Sequence, residues 1–208
     1  LSTEIDNRII SCIEERIRET IARSPVTEDP EHAENTLEWV LKLHPKAGQA
    51  LKIAALGHDI ERAVPPRVRR EDYGDYDTFK RIHAARSAEI LAKIMEACGA
   101  GPGFVEEVTG LVKRHETGGT PEADILNQAD SLSFFETNIG YFYEREGRTA
   151  TEARVLWGLR RLPKHILSLV PEMKYPVEEL EILVKSCLNK ITKHGELFFN
   201  EKEGDIDG

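Results

Sequence analysis

Isoleucine recurs every fourth residue at Ile5, Ile9, Ile13, Ile17 and Ile21. That spacing draws one apolar stripe down the face of a helix. Helical periodicity runs through nearly the whole chain, and no strand alternation of useful length interrupts it. The expected fold class is all-α, a single-domain helical bundle. A chain of 208 residues can bury one sizeable core without staples. The domain is expected to span 1–200, and 201–208 to form an acidic, mobile tail.

Punctuation sets the expected helices. Ser24-Pro25 closes the first. Asp29 reads as an N-cap with Pro30 at the first helical position, and Pro45 stops that helix near His44. Ala47, Ala50, Leu51, Ala54 and Ala55 mark a small-residue helix ending near Ile60, expected to be central because small residues pack closely. Residues 63–76 read as a loop. Asp77 opens a helix through about Cys98, and Phe104 starts another that reaches about His115. Thr120-Pro121 begins a long one to about Tyr143. Further helices are expected over about 150–170 and 177–199.

The formal net charge of −9 disfavours a nucleic-acid polymer as partner, since phosphate backbones reward positive surfaces. No apolar run is long enough for a bilayer, so no membrane partner is expected. Cys12, Cys98 and Cys187 are far apart with no CxxC pair, which excludes a cysteine zinc ribbon and argues against a disulfide framework. The start has no basic or apolar leader region, and opens on Leu1 rather than Met, as a processed or truncated chain would. A reducing cytoplasm is the expected compartment.

Four of the seven histidines fall where a core should be. His32 lies in the first turn of its helix, and His58-Asp59 closes the small-residue helix. His83 lines up with Phe79 and Ile90, and His115 extends the stripe of Phe104, Val108 and Leu111. Asp130 interrupts the stripe of Leu126, Ala129 and Phe134. A buried carboxylate is costly unless paired or bound to a metal. Several such groups together are best reconciled by a shared cation, and imidazole with carboxylate suits Fe, Mn, Co, Ni or Zn. His44, His165 and His194 sit near helix ends or breaks, where a solvated or dipole-complementing role suffices.

The order His, His-Asp, His, His, Asp, with the pair in Ala55-Leu56-Gly57-His58-Asp59-Ile60, resembles the HD superfamily of metal-dependent phosphohydrolases. The resemblance covers about 30–135, and His83-Ala84-Ala85-Arg86-Ser87-Ala88-Glu89-Ile90-Leu91 looks like that family's central helix. It implies that His32, His58, Asp59 and Asp130 hold one metal, that His83 and His115 add a second, and that Asp59 bridges both. One or two divalent transition-metal ions are therefore expected. The strings His58-Asp59-Ile60-Glu61-Arg62, Arg70-Glu71-Asp72-Tyr73 and Phe79-Lys80-Arg81-Ile82-His83-Ala84 also resemble an uncharacterised HD-related family, a domain of unknown function. His115-Glu116 lacks the Gly-Tyr-Pro of cyclic-dinucleotide phosphodiesterases, and Glu61-Arg62 replaces the Glu-Asp of ppGpp hydrolases, so neither substrate is expected.

The resemblance implies hydrolysis of a phosphate ester of a nucleotide or other small metabolite, with Asp59 at the reacting centre. Glu61 can orient water or move a proton, or be a solvated helix-end residue. Arg62, Arg67, Arg69 and Arg70 follow the metal pair in a Pro-containing loop, and a guanidinium fork matches phosphate oxygens. Lys80, Arg81 and Arg86 are expected mostly on a solvated face. Tyr73 and Tyr76 can stack on a base, whereas Phe79 is expected in the core. Two other readings stay open: an HD-type di-iron oxygenase, and a non-enzymatic ligand-binding protein. The sequence leaves the oligomeric state undetermined.

Overall fold

The computed structural model describes residues 5–200, with side chains described to 192. The tail assigned to 201–208 and the side chain of His194 lie outside the described residues. The fold is all-α, with no strand among the described residues. No described helix is long and apolar enough to cross a membrane.

Two compact units follow one another in sequence, the first ending at Ser133 and the second beginning at Phe134. In the first, α1 (Asn7–Ile21) buries Ile10, Ile13, Ile17 and Ile21, while Ile5 and Ile9 are half-buried. Each fully buried isoleucine contributes about 1.5–3 kcal/mol of transfer free energy. Next come α2 (Asp29–Leu43) and α3 (Gln49–Gly57), then a 3-10 turn (Ile60–Ala63). A second 3-10 turn (Arg70–Asp72) interrupts the expected loop. After it come α4 (Tyr76–Ala97), α5 (Pro102–Arg114) and α6 (Pro121–Ser133).

As its small residues require, α3 is central: it packs against α1, α2, α5 and α6, and every residue from Ile53 to Gly57 is buried. A β-carbon at Gly57 would lie 2.5 Å from Leu91 Cδ2. A larger residue there would have to displace the buried Leu91 side chain of α4, and the next two residues are His58 and Asp59.

Several boundaries differ from the sequence reading. The N-cap of α2 is Glu28, and Asp29 is already helical with Pro30 behind it. Asp75, rather than a later residue, caps α4 by accepting from the Thr78 amide at 2.7 Å. The small-residue helix ends at Gly57 instead of near Ile60. The long helix from Pro121 is broken by a π-helical stretch (Phe134–Asn138). In the second unit α7 (Ile139–Arg161) kinks at Gly147, whose φ of 75° is natural only for glycine. Pro163 then ends it and splits the helix expected to reach 170, leaving the short α8 (Lys164–Leu167). The last helix, α9 (Glu178–Asn200), packs on α7 around Val155, Leu159, Leu183 and Val184.

The reading of the cysteines is corrected. Cys12 on α1 and Cys98 just beyond α4 are joined in a disulfide with their Cα atoms 5.9 Å apart. The two helices pack together, so residues 86 apart in sequence meet, which no local spacing signals. The link removes the argument for a reducing compartment that rested on cysteine spacing.

Candidate metal centre

All six candidate ligands converge within the first unit. His32 on α2 and His58 at the end of α3 bring their Nε2 atoms to 3.3 Å of each other. Asp130 on α6 places Oδ1 3.3 Å from His32 Nε2 and 3.7 Å from His58 Nε2. Asp59 divides its carboxylate between two groups. Its Oδ2 faces His32 at 4.0 Å and His58 at 3.8 Å. Its Oδ1 faces His83 at 2.7 Å and His115 at 3.7 Å. Two ligand sets capable of holding an ion, His32-His58-Asp59 and Asp59-His83-His115, thus share one aspartate.

The histidines are aimed from behind. His58 and His115 stand where α3 and α5 stop, and each ring folds back on a carbonyl of its own last turn. His58 Nδ1 donates to the Ala55 carbonyl at 2.8 Å, and His115 Nδ1 to the Val112 carbonyl at 2.7 Å. A carbonyl only accepts, so the proton is on Nδ1 and Nε2 is turned inward. His32 Nδ1 donates to Ser133 Oγ at 2.8 Å, and that hydroxyl donates to the His32 carbonyl at 3.2 Å. His83 Nδ1 donates to Glu61 Oε2 at 2.7 Å. Every imidazole therefore has an outer partner that fixes the ring, the arrangement found behind metal-bound histidine.

The inward-facing lone pairs call for positive charge. Two Nε2 lone pairs 3.3 Å apart repel unless a cation, a proton or a metal ion, stands against them. Burial opposes charge on His58, but Asp59 and Asp130 outweigh it and raise its pKa to about 9. Burial opposes charge on His83 too, and Asp59 and Glu61 raise it to about 9. Burial would lift Asp59, yet Arg62, His58 and His83 hold it well below the usual carboxylate range. The fit to a cation follows from the same inventory. Asp29, Asp59, Glu61, Glu116 and Asp130 lie in the cluster or one partner away, and their ion pairs bring in Arg62 and Lys80 as fixed cations.

Glu61 is not the solvated helix-end residue of one sequence reading. It is 1% exposed, and its carboxylate accepts from His83 Nδ1 on one oxygen and from the Val68 amide on the other. It stands behind His83 rather than across open space from the cluster. Glu61→Gln leaves one acceptor oxygen for two donors. It is expected to weaken metal binding by roughly 10–100-fold without removing a ligand. Ser133→Ala is expected to do the same through His32, and competition with a chromogenic chelator measures both.

The loop arginines separate. Arg62 Nη1 lies 3.2 Å from Asp59 Oδ2. Arg67 and Arg69 are exposed, and exposed Arg70 donates to the Tyr73 carbonyl at 2.6 Å. Lys80 corrects the expectation of a solvated face: it is 8% exposed and paired with Glu116, whose other oxygen is 3.6 Å from His115 Nε2. Burial pushes Glu116 up, but His115 and Lys80 outweigh it and hold its carboxyl well below the usual range. Arg81 is exposed and Arg86 pairs with Glu89, as expected. Phe79 is half-buried between Tyr73 and Tyr76, with its ring stacked beside His83 at 6.2 Å. Asp29 and Glu116 were not singled out as site residues by sequence, because their partners Arg62 and Lys80 lie 33 and 36 positions away.

The chain belongs to the family described as domain of unknown function DUF4202, whose profile matches residues 14–183. No curated protein and no solved structure matches it.

Proposed function

We propose that this protein is a metal-dependent phosphohydrolase of the HD type, acting on a nucleotide or another small phosphorylated metabolite. The observation that carries the reading is the convergence of four outward-anchored imidazoles on the two oxygens of Asp59. His32, His58, Asp59 and Asp130 would hold one ion, and Asp59, His83 and His115 a second. A divalent ion held there lowers the pKa of water and polarises a phosphoryl oxygen.

The chain's own groups do the rest. With four neutral imidazoles and two divalent ions, the excess of carboxylates becomes a small net positive charge, which favours an anionic substrate. Asp59 and Asp130 hold negative charge beside the reacting water. Arg62 presents guanidinium donors next to Asp59 for a phosphate oxygen. Arg67, Arg69 and Arg70 extend that cationic rim in the same loop, and Glu61 keeps His83 in register.

The test pairs elemental analysis of protein purified without added metal with a phosphate-release screen over nucleotides and sugar phosphates. One or two ions of Fe, Mn, Co, Ni or Zn per chain are expected, with phosphate release that His58→Ala abolishes. Absence of phosphate release with every one of these metals overturns the reading. Bound iron with oxygen consumption and no phosphate release would establish the oxygenase in its place.

A further inference from the structure

Arg62 is held by a residue outside the ligand set. Asp29, in the first turn of α2, is 5% exposed. Its Oδ2 accepts from Ser24 Oγ at 2.5 Å, and its Oδ1 accepts from Arg62 Nη1 at 2.9 Å. The same Nη1 reaches Asp59 Oδ2 at 3.2 Å, so one nitrogen bridges a carboxylate of the cluster and a carboxylate behind it. Because α2 starts one residue early, Asp29 has no capping duty, and its side chain is free for this role. Among the described residues, Nη1 is the only Arg62 side-chain nitrogen that is hydrogen-bonded or ion-paired, which leaves Nη2 and Nε as a two-donor fork on a side chain that is 37% exposed.

We propose that Asp29 is the positioning residue that keeps Arg62 at the metal centre as a phosphate-binding fork. The inference rests on the phosphohydrolase reading. A cation on Asp59 Oδ2 would take over the charge that now attracts Arg62 and would repel the guanidinium. Asp29 is then the anchor that stops Arg62 from swinging to solvent. Ser24 fixes the other oxygen of Asp29, so the carboxylate cannot rotate away from Nη1. Pre-placing a five-donor side chain in this way removes its ordering cost from substrate binding.

The test uses inorganic phosphate as the probe and the full chain loaded with its retained metal, followed by calorimetric titration. Asp29→Asn is expected to weaken phosphate binding by roughly tenfold while metal content stays at the wild-type value. Arg62→Lys is expected to weaken it similarly, and the double variant should be no worse than Arg62→Lys alone, since both act through one fork. Ser24→Ala should give a smaller loss, about threefold, and decides the matter if Asp29→Asn fails to fold. Wild-type binding that Asp29→Asn or Ser24→Ala leaves unchanged, or strictly additive losses in the double variant, overturns the role of Asp29 alone. A metal-loaded wild type that binds no phosphate overturns the phosphohydrolase reading, and this inference with it.

Discussion

Asp59→Ala is expected to strip metal from both halves of the centre at once, lowering affinity by more than about 100-fold, beyond the cost of losing an outer partner. No other ligand has this reach, because only Asp59 belongs to both ligand sets. His83→Ala should spare the half built on His32, His58 and Asp130, and His32→Ala should spare the half built on His83 and His115. Metal quantitation after gel filtration distinguishes the three patterns. Equal losses from all three variants would mean that the halves are not separable. Asp59 lies between α3 and the 3-10 turn, inside neither, so the Ala variant interrupts no helix and circular dichroism should remain helical.

Metal affinity is expected to climb steeply with pH up to about 9 and then level off. In the metal-free fold His58 and His83 both carry protons below about 9, and an ion must displace them. Each displaced proton changes affinity about tenfold per pH unit, so two give about a hundredfold per unit near neutrality. Calorimetry at pH 7 in buffers of different ionisation enthalpy should report the release of about two protons per chain. Stability has the opposite sign. Both folded pKa values lie above the usual imidazole value of about 6.5, so the protonated cluster stabilises the metal-free chain fully below about 6.5. That contribution is lost as pH rises through about 9. The chelated protein should therefore melt roughly 5–10 °C lower at pH 9.5 than at pH 6, while the metal-loaded protein should not. A chelated protein with a flat profile would show that the imidazoles are neutral.

The helical fold was legible because apolar period is a local property. The stripe of Ile13, Ile17 and Ile21, and the small residues of α3, each lead directly to the buried faces observed. The histidines and aspartates were legible for the complementary reason: they interrupt or extend such stripes, so they had to face inward. What period does not encode is the partner. Ser133 behind His32, Glu116 on Lys80 and Asp29 on Arg62 are pairings across 101, 36 and 33 positions. Lys80 shows the failure clearly. A lysine in a charged stretch reads as solvated, whereas Glu116, arriving just beyond α5, compensates its buried charge. The π-helical stretch after Ser133 escaped for another reason, since one extra residue in a turn shifts a stripe without ending it.

The bond between Cys12 and Cys98 turns part of the chain into a covalent ring, and the ligands divide unevenly across it. His32, His58, Asp59 and His83 lie inside the ring, whereas His115 and Asp130 lie on the segment that leaves it. Closing a ring of this size removes about 4–5 kcal/mol of chain entropy from the unfolded state in the loop-closure account. The four ligands inside it, which include the shared aspartate, are thereby confined to a smaller volume before any helix has packed. A reductant would return that freedom to the half of the molecule that carries most of the ligand set.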